Sequence, residues 1–559
     1  MKLMKRCLSV MLAGCWASLL FASGDSLKYC SPFDFPILLS ANFGELRPNH
    51  FHNGLDFKTK GTVGHPIHCI ADGYVSRVAV QHGGYGQAIY ITHPDGHTSV
   101  YGHIISFAPE VEKYVREYQY KNETFVCYLY PEPGRFTFKQ GDIIAYSGNE
   151  GSSAGPHLHL EIRKTDTDEY LDPMPYFKQW IKDTKAPVAN LVGFYPVGGQ
   201  GVINGSASKK IFPVASLNKP VTAWGKIYTG ISAKDYMDGT SNFYGVHSVT
   251  LFVDSVKVFS STTDRVLPDE NRMVNAFTDY DEYIRSRRLI MRSYKAPANK
   301  LRMLWTGNGT GIIDINEERN YKFVYVLEDN FGNSRSYSFT VRGERHDIPQ
   351  CVENSLGDKE ILTAGRTTVL QRPGFEFIVP KGYVYEDVPV VVDVIETDSS
   401  AVSLEYDIDA GNTPLHSYCP IAIGLRKTGT VSPEKYYIQQ RVGKWKASVG
   451  GEYDNGWMRA KIRNFGAYSV AVDTVPPVVT PVDKARWRST SDIRFRIKDS
   501  ASGINTYKVY VDGKFVLFGL KKGMLIIQDK KRVKKGVPHS LKVVVTDMCG
   551  NETVKNMKF

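Results

Sequence analysis

A chain of 559 residues is too long for one compact core and points to roughly four domains. With 42% hydrophobic and 23% charged residues it can bury real cores, and its 49 Gly and 28 Pro, scattered as turn punctuation, exclude a collagen-like or wholly disordered chain. The net charge of +11 alone fits nucleic acid, an anionic membrane or an anionic polymer, so the placement of the charges has to decide.

Residues 1–24 read as an export signal: Lys2, Lys5 and Arg6 precede an apolar stretch from Leu8 to Ala22, and Ala22, Ser23 and Gly24 are small. Its removal leaves about +8, spread widely and without the interleaved basic and aromatic residues of RNA-binding surfaces, so no nucleic-acid partner is expected. The string LAGC ending at Cys15 resembles a lipoprotein processing box. Apolar residues continue beyond it where a polar tether belongs, and soluble export to the periplasm or cell envelope is preferred over lipid anchoring. No later run reaches the roughly 20 apolar residues of a membrane span. Outside the signal lie Cys30, Cys69, Cys127, Cys351, Cys419 and Cys549; no pairing follows from their spacing, and the absence of CxxC argues against a thiolate metal site.

From Phe33 to Tyr176 short alternating runs such as GYVSRVAV, AIYITH and TSVYGH, bounded by Asp-Gly and Gly-rich turns, predict an antiparallel sheet. Residues 108–133 interrupt it as an insertion, in which Val111, Tyr114, Val115 and Tyr118 have the spacing of a short amphipathic helix. Beyond Lys182 an internal repeat appears: GVHSVTLFVDSVKV from Gly245 aligns without gaps with GINTYKVYVDGKFV from Gly503. Each copy follows an Asp-Thr-x-x-Pro start (Asp183, Asp473) and precedes an Asp-x-x-Gly-Asn close (Asp329, Asp547). The expected division is a first domain over 25–182, immunoglobulin-like β-sandwiches over 183–345 and 473–559, and a further β-rich, sandwich-like unit over 346–472. The first copy carries insertions, including a helix expected near 280–293.

The chemistry is concentrated in the first domain. In HNGLDF, His52 and Asp56 have equal parity, so an extended segment presents both on one face, with Gly54 leaving room between them. In PHLHLEIR, His157 and His159 share a strand face, and His103 stands at a strand end in VYGHI. Two His and one Asp make the ligand set of a catalytic zinc ion with a position left for water. Glu161 shares the parity of His157 and His159 and is a candidate to support them. His50 is a decoy for His52, and His65, His68, His82, His93 and His97 are expected in structural or surface roles. Each motif alone more often marks a polar face; their occurrence together in order is the signal.

FGELRPNHFHNGLDF, the ADGYV and GGYGQ turns, THPDGHTSVYGHI and KQGDIIAYSGNEGSSAGPHLHLEIR together resemble the lysostaphin/LytM-type zinc endopeptidase family over about a quarter of the chain. The resemblance implies a mainly β chain whose first domain has the LytM-type antiparallel fold, related to the duplicated hybrid motif. It implies one Zn²⁺ held by His52, Asp56 and His159, with His103 and His157 beside the catalytic water. All five positions are intact, so the expected activity is metal-assisted hydrolysis of peptidoglycan stem-peptide cross-links. The alternative is a non-catalytic wall-binding protein or regulator of another wall hydrolase. The β-sandwiches are expected to position the enzyme and to meet a protein or glycan partner. The insertion after His103 departs from the family pattern, and Asn49 is a candidate to cover the site at rest.

Overall fold

The computed structural model describes residues 29–349, 360–427, 429 and 431–559; the export signal, with Cys7 and Cys15, and Cys351 lie outside the described residues. In the first domain the strands are β1 (Leu39–Ala41), β2 (Leu55–Lys58), β3 (Gly73–Val80), β4 (Gln87–Thr92) and β5 (His97–Ile104), followed by helix α1 (Pro109–Asn122), β6 (Cys127–Leu129) and β7 (His157–Lys164). They pair in the order β1-β2-β7-β5-β4-β3-β6, antiparallel at every step. Asp95-Gly96 closes the β4–β5 hairpin, with Gly96 in the left-handed region (φ +82°) that favours glycine. One face of the sheet carries Val75, Ile89, Ile91, Tyr101, Leu158, Leu160 and Ile162 into a common core.

The insertion is a helix plus the edge strand β6, which pairs with β3. Pro109 opens α1 at a position with no N–H to lose, Glu110 and Glu112 sit in its first turn, and Glu123 ends it in a left-handed conformation. Val111 and Val115 are buried as the spacing requires, but Tyr118 is exposed and Gln119 is buried instead. Its amide donates to the Phe125 carbonyl at 2.7 Å, so a polar group turns inward because the returning chain offers it an acceptor.

The second unit is built on two long strands, β8 (Val188–Ile203) and β9 (Val221–Lys234). With β10 (Ser248–Val253), β11 (Asn320–Glu328) and β12 (Ser334–Gly343) they belong to one continuous ten-stranded sheet around one core, not two separate sheets, and the unit also carries helix α2 (Tyr280–Ser286). β8 and β9 run the length of the unit with bulges at Ala189/Leu191 and Pro196/Gly201, and β9 also joins β12 in a parallel pairing. The helix expected near 280–293 stops at Ser286, because Arg287 is left-handed (φ +62°) and Met291–Arg292 pairs with β9. The Asp279 carboxylate caps α2 by accepting from Glu282 N–H.

Residues 360–472 place a six-stranded and a five-stranded sheet around a core that includes Phe377, Tyr406, Ile438 and Tyr468. Residues 478–558 place two four-stranded sheets around the fully buried Trp487. The sequence repeat has a structural counterpart: Asp254-Ser255 and Asp512-Gly513 both form hairpin turns with two consecutive positive φ angles.

Two of these units meet the first domain. On one side Tyr170 and Leu171 pair as a strand with Val266 and Arg265, Phe43 and Phe51 enter the core of the second unit, and Met237 and Tyr244 enter the core of the first domain. On the other side the fourth unit docks on the insertion. The Glu123 carboxylate accepts from Lys508 Nζ and Tyr510 OH, both at 2.8 Å, and Lys521 Nζ donates to the Asn149 carbonyl. Cys30, Cys69, Cys127, Cys419 and Cys549 are free thiols, and no helix among the described residues is long and apolar enough to cross a membrane.

Candidate active site

Strand β7 sets the site by its alternation. Leu158, Leu160 and Ile162 enter the core, each contributing about 1.5–3 kcal/mol on burial, so His157, His159, Glu161 and Arg163 must face the other way. Pairing then places Asp56 of β2 directly across from His159 and Gly102 of β5 on its other flank.

His52 lies outside the strand, so parity is not what brings it to Asp56. It is held by backbone bonds, His52 N–H to the Glu45 carbonyl and Gly44 N–H to the His52 carbonyl, and by Nδ1–H donation to the Asn42 carbonyl at 2.7 Å. That donation leaves Nε2 as the free nitrogen. The role expected for Gly54 is also corrected: a Cβ there would stand 2.2 Å from the Leu160 carbonyl oxygen, so glycine is needed for close approach to β7, not for space between His52 and Asp56.

His52 Nε2, Asp56 Oδ1 and His159 Nδ1 close a triangle with sides of 3.0, 2.8 and 3.0 Å. Two imidazole nitrogens and one carboxylate oxygen, all buried, make a donor set that suits a borderline divalent ion. His159 offers Nδ1 because its Nε2 is 2.9 Å from Glu161 Oε1. Glu161 is itself fully buried, bonded by Arg163 Nε at 2.7 Å and by the Tyr85 hydroxyl at 2.5 Å. The other oxygen of Asp56 accepts from Arg47 Nη2 at 3.1 Å.

The electrostatics follow from burial and pairing. Burial works to raise the Asp56 carboxyl, yet His52 and His159 hold it well below the ordinary range. Burial lowers His52 to about 4 against the pull of Asp56. For His159 burial is outweighed by Asp56 and Glu161, which raise it to about 9. For Glu161 burial is outweighed by Arg163 and His159, which lower it to about 2.

His103 and His157 stand beside this triangle with ring centroids 4.7 Å apart, and His157 Nε2 lies 3.6 Å from Asp56 Oδ1. The Nδ1 atoms of both rings are tied to carbonyls at 2.8 Å, of Glu150 for His103 and of Gly155 for His157, so each turns Nε2 toward the site. His103 adopts a left-handed backbone (φ +61°), a costly conformation for a side-chain-bearing residue that aims the ring out of the strand. Burial, then His159 and His157, push His103 down to about 3, so it is a neutral imidazole. The site opens into a cleft of about 780 Å³ lined by Arg47, Lys58, Lys60 and Ser153.

The remaining histidines lie elsewhere. His50 is exposed and bonds Pro48, His65 pairs with Thr62, His68 with Asp34, His93 with Ser99 and His97 with Asp95, while His82 stacks on Phe125. Asn49 does not cover the site; its Oδ1 accepts from Asn275. Sequence reasoning missed Asn42, Arg47, Tyr85 and Arg163. Parity along β7 was a usable signal for Arg163; nothing local marked the other three.

Residues 50–120 match the model of Peptidase family M23, and residues 359–473 match that of a Zu5-like domain. An uncharacterized metalloprotease of Haemophilus influenzae is 35% identical over 119 residues, 21% of this chain and 19% of that protein. The DD-carboxypeptidase/endopeptidase Mpg of Neisseria meningitidis serogroup B is 31% identical over 113 residues, 20% of each chain. Lysostaphin of Staphylococcus simulans is 28% identical over 130 residues, 23% of this chain and 21% of that protein. The chain thus contains a Peptidase family M23 domain, and it spans about a fifth of the length of the curated relatives it matches.

Proposed function

We propose that this protein is an exported zinc-dependent endopeptidase that hydrolyses peptide cross-links of bacterial peptidoglycan in the periplasm or cell envelope. The observation that carries the reading is the complete constellation: the closed triangle of His52, Asp56 and His159 with two further imidazoles directed at it from carbonyl-anchored rings. His52 Nε2, Asp56 Oδ1 and His159 Nδ1 hold the ion, and when bound zinc supplies the Lewis acid that polarises a scissile carbonyl and acidifies water.

Glu161 orients His159 and, through Arg163 and Tyr85, is itself held in place. His103 and His157, each tied through Nδ1 to a carbonyl, are the two candidates to accept the proton of the attacking water, help worth about 10²- to 10⁴-fold. Once protonated, either ring becomes a donor to the oxyanion or to the leaving amine. Arg47, Lys58 and Lys60 line the cleft and suit substrate carboxylates. The three β units after Lys182 serve to position the M23 domain on the wall and to bind a glycan or protein.

The test is digestion of purified peptidoglycan by the mature protein with and without a chelator, with new termini read by mass spectrometry. Cleavage abolished by the chelator, restored by zinc and absent in His52→Ala is the expected result. Intact peptides at every zinc loading, together with a His52→Ala variant that binds as much zinc as the parent, rule the reading out.

A further inference from the structure

The segment entering the second unit and the ends of β9 and β11 meet at three acidic side chains. Asp183, Asp235 and Asp329 each bring a carboxylate oxygen within 4.8 Å of the others, and Asp473, Asp499 and Asp547 do the same in the fourth unit. The two triads follow from the sequence repeat, yet they are not chemically equal.

In the fourth unit every acid is supplied with donors. Asp473 Oδ2 accepts from Ser502 N–H at 3.0 Å and its hydroxyl at 2.5 Å, Asp499 Oδ2 from Ala501 and Gly503 N–H, and Asp547 from Cys549 N–H and from both the N–H and the side-chain amide of Asn551. In the second unit Asp329 has the matching loop bonds, from Phe331 N–H and from the N–H and side-chain amide of Asn333. Asp183 Oδ2 and Asp235 Oδ1, however, are buried with no hydrogen-bond partner, and Asp235 is 2% exposed.

The cause is legible in the chain. Three residues separate Asp499 from Gly503, whereas nine separate Asp235 from the aligned Gly245, so the close-set hydroxyl of Ser502 gives way to a longer loop that carries a further acid, Asp238. Asp238 turns its carboxylate to Thr184 and gives nothing to Asp183. Lys185 donates its ammonium to the Met237 carbonyl. Burial, and after it the neighbouring Asp183 and Asp329, push the Asp235 carboxyl up to about 8 against the lowering bond from Tyr236 N–H.

We propose that Asp183, Asp235 and Asp329 form a calcium site in the second unit that the equivalent triad of the fourth unit has replaced with hydrogen bonds. An all-oxygen set without nitrogen or sulfur selects a hard cation, and an irregular buried cluster suits calcium better than magnesium, which demands near-octahedral geometry. The site braces a joint. Asp235 exchanges backbone hydrogen bonds with Tyr244, whose ring lies in the core of the first domain, and the next residue, Gly245, is bonded in both directions to the side chain of Asn42. Asn42 is the residue whose carbonyl fixes His52.

The test is calorimetric titration of the full mature chain, zinc-saturated, with calcium chloride, with magnesium chloride in parallel and melting temperature as a second readout. The expected result is one calcium site, with a dissociation constant on the order of 10⁻⁴–10⁻³ M as in extracellular modules, weaker magnesium binding and a calcium-dependent rise in melting temperature. Asp235→Asn and, separately, Asp183→Asn lose both signals with zinc content unchanged, whereas Asp499→Asn keeps them. No calcium heat and no melting shift up to 10-fold above that range, binding retained in both variants, or loss of binding in Asp499→Asn overturns the proposal. Zinc content and peptidoglycan cleavage report on the M23 site independently.

Discussion

The second and fourth units carry the same repeat, yet they join the M23 domain by opposite physics. The second is fused to it through exchanged core residues, with Phe51 passing one way and Tyr244 the other, and through a shared strand pairing. The fourth rests on the first domain through polar contacts, Lys508 and Tyr510 on Glu123, Tyr120 on Asp529 and Lys521 on Asn149, and through the rings of Tyr120 on Phe515 and His82 on Tyr507, with no core residue exchanged among those described. A buried apolar joint lies on the His52 side of the site, whereas the joint on the His103 side is made by partly exposed side chains, whose single ion pairs each contribute little. A repeated module thus acquires its role from what its surface meets.

This contrast is breakable. The largest effect is expected from Tyr244→Ala, which empties a fully buried ring site and loses the hydroxyl bond to the Leu39 carbonyl. A loss of about 3–5 kcal/mol, read from denaturant midpoints, is expected. Asp172, bonded by Asn330 of the second unit, gives the joint a pH signature. Burial raises its carboxyl to about 7. Between about pH 4 and 7 the folded state keeps a proton that the unfolded chain has released, so stability falls as pH rises through that window. Asp172→Asn is expected to flatten this slope by up to about 1.4 kcal/mol per pH unit, measured by unfolding at pH 5 and 7.5.

Glu161→Gln tests the centre between the two joints. Zinc affinity is expected to fall about 10- to 100-fold in competition with a chromophoric chelator, with the fold retained. The smallest effect belongs to the fourth unit. Lys508→Ala is expected to cost about 0.2–1 kcal/mol of docking, diminishing with added salt, as measured by protease sensitivity of the link between the units. A cost at Lys508 equal to that at Tyr244 would erase the distinction.

The strands of the first domain and the parity of β7 were legible in sequence because alternation is a local property: Leu158, Leu160 and Ile162 dictate where His157, His159 and Glu161 point. The site was legible only as a list. His52 is positioned by Asn42 and Glu45, Asp56 is paired with Arg47, and Glu161 is anchored by Tyr85, contacts made by loops whose spacing carries no periodic signal. Gln119 took the place expected for Tyr118 for the same reason, since its acceptor at Phe125 belongs to the returning chain. The second unit joined its strands into one sheet because β8 and β9 are long enough to run its whole length, a property of pairing that repeat alignment does not carry.

By itself, then, the sequence determined the residue types of the candidate metal site, the strand face of His157, His159 and Glu161 and the duplication of an Asp-bearing module, because these depend on neighbours two to five residues away. Only the tertiary structure decided which nitrogen of each histidine faces the site, which copy of the module is fused to the M23 domain, and which acidic triad leaves two buried oxygens without donors. Those outcomes depend on hydrogen-bond partners and buried surfaces brought from distant parts of the chain: Ser502 donates to Asp473 in the fourth unit, whereas Asp238 in the second accepts from Thr184 and leaves Asp183 without that donor.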